Sequence, residues 1–504
     1  MPAAGHSLPN LTERLESALA RPASDDRFNV HAELEEVLAG VGLSAGDAGG
    51  TVTFRGADPV LPSPVRWGAA CGIPLAARAV VVAALWQLRG GRPQDVEVDL
   101  RAAPRRMAAF AESKWLKLNG VANAGGLNGF EAVCGGFYET ADGRHVLLSN
   151  PYRGLATATT KLLNCPLDPQ AVRAAVSRWK GRDLEQAAED AGVVIAMVRS
   201  TEEMMREAQY TDALADTPLI EITRIGDSAP EPLPHGGTQP LDGIRALGMA
   251  GALAGPSAGR ALALHGADVL NIWRPHQTEV ENWYIDGQIG VRSTILDPVR
   301  AQDAARIRTL LSGADVFYAN RRPGYLESIG LSAEEAAEAR PGIIHATVSA
   351  YGRTGPWAGR VGFDVAAGAV TGIYDHEGED GRPGFTPITI IDDNMTAWLL
   401  AVGITAALAR RAREGGSYRV HVSLTRTALW MQSLGLFDKE YARRTAGSSP
   451  DHAFLTPELF TADTPLGHYQ GVADPIRMSE TPGAYRHVLL PRGACRPEWL
   501  PTLG

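Results

Sequence analysis

The chain has 504 residues, with 48 Lys and Arg against 57 Asp and Glu, a formal net charge of −9, and 45% hydrophobic against 21% charged residues. Such a length is too great for one core, so two or three domains are expected. The acidic balance argues against a general nucleic-acid binder and leaves room only for a local basic pocket around an anionic ligand. Cys71, Cys134, Cys165 and Cys495 are scattered without CxxC spacing, so neither a disulfide framework nor a zinc site is expected. No apolar run reads as long enough to span a membrane, and the opening MPAAGHSLPN lacks a charged-then-apolar leader pattern. A cytoplasmic location with no membrane or nucleic-acid partner is the expectation.

In chain order, residues 1–50 read as a helical extension without a motif. From about residue 75 to 100, LAARAVVVAALWQLRGGRPQDVEVDL reads as an Ala/Val-rich helix, a Gly-Gly stop and an alternating strand. Residues 135–150, GGFYETADGRHVLLSN, predict a hairpin turning at Asp142-Gly143, and two or three helices follow between about 168 and 210. Residues 131–225 are therefore expected to form a smaller α+β domain. Residues 226–240, GDSAPEPLPHGGTQP, are rich in Pro and Gly without periodicity and read as a linker. Beyond it the texture changes to strands alternating with helices. GIRALGM, DVLNIW, ADVFYAN and IIHATVSAYG are strands, SAGRALALHGA is a helix, and another helix opens on a Ser332–Glu335 capping box. This alternation predicts an α/β domain with a mostly parallel sheet over 241–440, its ligands at the carboxyl ends of the strands. Residues 441–504 are left as a tail.

The chain also resembles itself. Residues 80–103 and 402–428 each read helix, Gly-Gly, strand, helix; Ala83-Ala84-Leu85 matches Ala406-Ala407-Leu408, an offset of 323. Residues 51–130 are on this reading a partial copy of the large domain. The second copy contains TPITIIDDNMTAWLL, residues 386–400, read as a strand running into Asp392-Asp393 and then a helix. Two adjacent acids at the end of a buried strand are hard to solvate, so they either cap the helix or do chemistry. The same offset puts Ala70 at the place of Asp393, and residues 59–94 contain no Asp or Glu. Acids needed only as caps would recur in both copies, so a site present once per chain is favoured.

From Pro240 onward, PLDGIRAL, LAGPSAGRALALHGADVLNIWRP, VRSTILD, ADVFYANRRPGYLESIGL, RPGIIHATVSAYGRTGPWAGRVGFD, IIDDNMTAWLLAVGITAAL and GGSYRVHVSL follow one another in the order typical of one family. In this respect the chain resembles the class III CoA-transferases. The resemblance implies a Rossmann-like large domain plus a smaller α+β domain, substrates consisting of an acyl-CoA and a carboxylic acid, coenzyme A as the carried group, no metal, and an interlocked homodimer. The small domain precedes the large one here, which is consistent with a truncated tandem duplication. The family's nucleophilic Asp stands thirteen residues before the Ala-Ala-Leu of the next helix, which is Asp393, with Asp392 as its rival. The usual Gly four residues later is Ala397. Backbone amides at the start of the 394–413 helix are expected to hold the carboxylate ionised. Coenzyme A contacts are expected from Leu253, Ala254, Arg274, Leu296, Asn320 and Arg321. Arg321 and Arg322 are candidates for phosphate pairing, with a solvated basic turn as the alternative. Ser328 stands where formyl-CoA transferase carries an Arg, and Arg360 is a candidate substitute. Racemases on this fold use a His at the position of Phe363, next to Asp364, which here reads as a supporting group. The alternatives are a CoA-thioester racemase, isomerase or lyase, or a catalytically silent CoA-binding protein.

Overall fold

The computed structural model describes residues 10–122, 129–234 and 236–501. The opening residues on which the leader expectation rests lie outside them, as do 123–128, His235 within the expected linker, and 502–504. Two helices, Leu11–Ala20 and Val30–Gly40, precede β1 (Gly49–Arg55), which pairs in parallel with β2 (Gln94–Asp99). Between them runs the helix Trp67–Leu88. A short strand, β3 (Lys117–Leu118), follows. β4 (Cys134–Glu139), β5 (His145–Ser149) and β6 (Ile195–Met197) make an antiparallel sheet, with the predicted turn at Asp142-Gly143 and Gly143 at φ +72°. Four further helices (Arg153–Leu163, Pro169–Val176, Gly181–Asp190 and Thr201–Met204) complete this part.

β7 (Glu221–Gly226), β8 (Arg245–Met249), β9 (Asp268–Trp273), β10 (Arg292–Ile295), β11 (Val316–Ala319), β12 (Ile344–Ser349) and β13 (Ser417–Ser423) form a seven-stranded sheet ordered β10-β9-β8-β11-β12-β13-β7. All its pairings are parallel except β13 with β7. This is the expected α/β fold with a parallel-dominated sheet. β14 (Leu459–Thr464) pairs with β15 (Gly467–Val472), which reaches β3, and β16 (Ile476–Met478) pairs with β2. The tail is thus part of the sheets around the N-terminal segment.

Several expectations change. β7, placed by the sequence reading at the end of the small domain, is an edge strand of the large sheet. The segment after it is strapped down rather than free: Glu231 pairs with Arg340 at 2.7 Å, and Leu233 is buried. Its close approach explains Gly415, where a Cβ would lie 2.1 Å from the Ser228 carbonyl oxygen. Residues 386–391 form bends, not a strand. Both sides of β12 and of β13 are already paired, and the Ile391 N–H donates to the Asp364 carboxylate at 2.7 Å instead of to a sheet. The helix Trp67–Leu88 is long and apolar enough to cross a membrane, contrary to the sequence reading, but 94% of its apolar window is buried inside the protein.

That helix packs along the helix Asp393–Glu414, and both have 22 residues. Each ends a few residues before a strand, β2 or β13, that pairs in parallel with an earlier one. The first helix does have an acidic cap, which the repeat argument missed. Asp58 lies just outside the acid-free stretch and accepts from Gly68 N–H at 2.9 Å and Ala69 N–H at 2.7 Å. The helix Asp393–Glu414 lies so close to the sheet that a Cβ at Gly403 would be 2.5 Å from Val420 Cγ1 and 2.7 Å from Ile220 Cγ2. Gly403→Val is expected to destabilise the fold by about 1–3 kcal/mol through overpacking, read as a lower urea midpoint; an unchanged midpoint would contradict this packing.

Candidate functional site

A cavity of about 480 Å³ opens at the carboxyl ends of β8, β9, β11 and β12, walled on one side by the start of the helix Arg153–Leu163. Its construction begins with the turn after β8. Small residues allow that turn to pass close to its neighbours: a Cβ at Gly255 would lie 2.6 Å from Asn320 Oδ1. Three side chains hold its backbone. Asn271 on β9 accepts from Ala250 N–H at 2.9 Å and donates to the Ala250 carbonyl at 3.1 Å. Asn320, just after β11, accepts from Gly251 N–H at 3.1 Å and donates to its carbonyl at 2.7 Å. Glu279 accepts from Ala252 N–H at 2.8 Å, and Ala252 takes a left-handed φ of +55°.

The turn delivers the N-terminus of the helix Ala254–Leu264, whose first amide, from Ala254, is near enough to the Asp393 carboxyl to favour its ionised form. Asp393 itself begins the helix Asp393–Glu414 and lies on the cavity wall. The amide that reaches it thus comes from a different helix than the sequence reading expected. Burial and the neighbouring Asp364 push the Asp393 carboxyl well above the usual carboxylate range, and the Ala254 amide opposes them. Asp364, buried at the start of the helix Asp364–Thr371, is raised to about 6 by burial, against backbone amides that include those of Ile391 and Asp392. It fastens the turn that carries the two acids.

Asp392 is 0% exposed and absent from the cavity lining, and both its carboxyl oxygens lack a hydrogen-bond partner. It does not cap the helix with its side chain. Burial first, then Asp364 and Asp393, raise its carboxyl well above the usual range. Geometry therefore separates the two rivals: Asp393 meets the cavity and Asp392 is sealed behind it.

Arg274, Asn320, Arg321 and Ala254 all line the cavity, as expected. Arg274, Arg321 and the exposed Arg322 make no ion pair among the described residues. Arg321 is lowered to about 10, by burial and then by Arg274, and reaches only Gln277 Oε1 at 3.4 Å. Unpaired guanidinium groups gathered at one cavity of an acidic protein make an anion site. Leu253 and Leu296 do not join it. Leu253 is 1% exposed, and Leu296 is packed into the core cluster with Leu247 and Ile272, because apolar side chains at these positions gain more from the interior than from the cavity wall. Arg360 does line the cavity, but Glu189 holds it at 2.8 Å and it stacks over Trp357 at 4.5 Å, so it is not free to replace a phosphate-binding Arg. Ser328 donates to the Tyr325 carbonyl at 2.7 Å and is exposed. Phe363 lies on the wall where a racemase would carry His.

Sequence reasoning missed Glu279, Asn271 and Tyr152. Tyr152, just before the helix Arg153–Leu163, donates to Glu279 Oε1 at 2.7 Å and so reaches the turn after β8 across the cavity. Glu279 shared a loop with Arg274, which was the available signal; nothing in the sequence joined Tyr152 to it.

The matching family model is described as CoA-transferase family III and spans residues 241–462. Residues 241–462 belong to CoA-transferase family III. An acyl-CoA transferase of Fusarium pseudograminearum (strain CS3096) is 29% identical over 249 residues, covering 44% of this chain and 54% of the relative. A mouse α-methylacyl-CoA racemase is 29% identical over 194 residues, covering 38% and 50%. The crystal structure of a hypothetical protein from Mycobacterium tuberculosis is 30% identical, with a TM-score of 0.37, covering 39% of this chain and 57% of that one. The chain spans about half the length of the curated relatives it matches. In this CoA-transferase family III segment, Asp393 and Glu279 are the acids that line the cavity, Glu279 being bonded to Tyr152 and the Ala252 N–H, and among the described residues no group of His, Cys, Asp and Glu is arranged to hold a metal ion.

Replacing Asp392 by Asn removes a buried carboxyl without partners. A carboxyl whose folded pKa is raised loses stability as pH rises above its unfolded value. Asp392→Asn is therefore expected to raise stability by about 1–3 kcal/mol, the scale of one unpartnered buried polar group, at pH 7 to 8, with the gain vanishing near pH 3. Thermal melts across pH read this, and a lower melting temperature at neutral pH would contradict it.

Proposed function

We propose that the chain moves coenzyme A from an acyl-CoA to a carboxylic acid, with Asp393 as the covalent carrier. The observation that supports this most is the Asp393 carboxyl at the cavity wall, near the first amide of a helix and beside unpaired guanidinium groups suited to an anionic thioester, while the wall's other acid, Glu279, is bonded to Tyr152 and the Ala252 N–H. An Asp393 carboxylate oxygen attacks the thioester carbonyl carbon, the C–S bond breaks, and CoA thiolate leaves a mixed anhydride. The thiolate attacks the aspartyl carbonyl, expels the donor acid as its carboxylate, and forms an aspartyl-CoA thioester. The acceptor's carboxylate attacks that thioester, giving a new anhydride and thiolate. Thiolate attack on the acceptor carbonyl then forms the product thioester and frees Asp393. The Ala254 amide is suited to hold the carboxylate and the oxyanion formed on it.

Asp393 must be ionised to attack, while burial and Asp364 oppose ionisation. Two-base proton transfer at the α-carbon is the rival on this scaffold, and Phe363 at the wall counts against it because it cannot titrate.

Incubation with acyl-CoA followed by borohydride or hydroxylamine should leave a modified Asp393 detectable by mass spectrometry. Asp393→Ala should lower kcat by about 10³-fold or more, the scale lost with a covalent nucleophile. No adduct together with full activity of Asp393→Ala would sink the proposal. A pH profile gives a second test. Activity should rise with pH through an apparent pKa above the ordinary carboxylate range, and Asp364→Asn should move that limb to lower pH by removing a like charge. A limb that stays put in Asp364→Asn would show that Asp364 does not govern Asp393.

A further inference from the structure

We infer that the acyl group carried by this chain ends in uncharged hydrocarbon rather than in a carboxylate. The inference rests on the transferase reading above and adds the substrate class. It follows from how the cavity's chemistry is sorted along the sheet. Across the order β9-β8-β11-β12-β13, Arg274 follows β9, and Arg321 and Arg322 follow β11. These are the cations without carboxylate partners. Val348 and Ala350 lie at the end of β12, and Leu424 follows β13; with them the cavity is lined by Val361, Phe363 and Leu155.

Asp393 lies at the junction of the two halves. It shares the cavity wall with Ala254, which follows β8 on the cationic side and favours its ionised form, and it feels Asp364, which follows Phe363 on the apolar side. A thioester with its carbonyl at Asp393 and its phosphates on the guanidinium groups therefore extends its acyl group over β12 and β13.

The polar groups of that half are already satisfied. Ser349 Oγ accepts from Gly352 N–H at 3.0 Å and bonds His421 Nε2 at 3.0 Å. Arg360 is held by Glu189 at 2.8 Å. Tyr152 donates its proton to Glu279. A terminal carboxylate there would find no free cation among the described residues and would approach two carboxylates, Asp393 and Glu279. Losing hydration without a partner is costly for a charge, whereas a methyl group gains from the same wall.

Butyryl-CoA and succinyl-CoA isolate this difference, since both are four-carbon thioesters ending in methyl or carboxylate. Isothermal titration of the full-length Asp393→Asn protein should show butyryl-CoA binding about 30-fold more tightly than succinyl-CoA, the scale of an uncompensated charge in an apolar site. Val361→Lys should shrink that ratio about tenfold by supplying the missing cation. Equal or tighter binding of succinyl-CoA overturns the inference, as does a ratio unmoved in a folded Val361→Lys protein; if that variant does not fold, the first comparison decides alone. The two readings fail separately. Absence of any Asp393 adduct with either thioester removes the transferase proposal, while the binding ratio still decides the acyl class.

Discussion

The placing of the Asp393 carboxyl beside the helix end that carries the Ala254 amide is the constraint on which the rest of the site depends. It joins the N-terminus of one helix to the N-terminus of another and so fixes where the carboxylate can point. A buried acid facing Asp364 and Asp392 would otherwise have little reason to remain ionisable at the cavity wall. An amide at a helix end brings the positive end of the helix dipole towards the acid.

That amide is itself positioned by others. Asn271, Asn320 and Glu279 each bond the backbone of the turn after β8, so its course is fixed at three successive residues, Ala250, Gly251 and Ala252. Asn320 also lines the cavity, and its side-chain amide holds the Gly251 backbone by one accepted and one donated hydrogen bond. Through Glu279, Tyr152 at the start of the helix Arg153–Leu163 reaches the same turn.

The apolar helix Trp67–Leu88 shows how local signals can mislead. Its length and composition suit a membrane, yet it is a core helix packed along Asp393–Glu414. The reason is supplied by distant segments: β16, from the end of the chain, pairs with β2, and Asp58 caps the helix from a preceding loop. The bends at 386–391 make the same point in reverse. Five β-branched residues favour a strand, but the neighbouring strands have no open edge, so the segment bonds to Asp364 instead.

By itself the sequence determined the alternation of strands and helices from Gly243 onward, the hairpin at Asp142-Gly143, the Ser332 capping box and the pair Asp392-Asp393, because each is written in local periodicity, turn chemistry or spacing. Resemblance to the class III CoA-transferases marked Arg274, Asn320 and Arg321, each just after a strand, and all three line the cavity. Tertiary structure alone decided which of the two acids meets the cavity, that Arg360 is already paired, that Leu253 and Leu296 face the core, and that Tyr152 reaches Glu279 across 127 residues of chain. Those outcomes depend on burial and on partners brought from far along the chain, and neither is contained in the spacing of neighbouring residues.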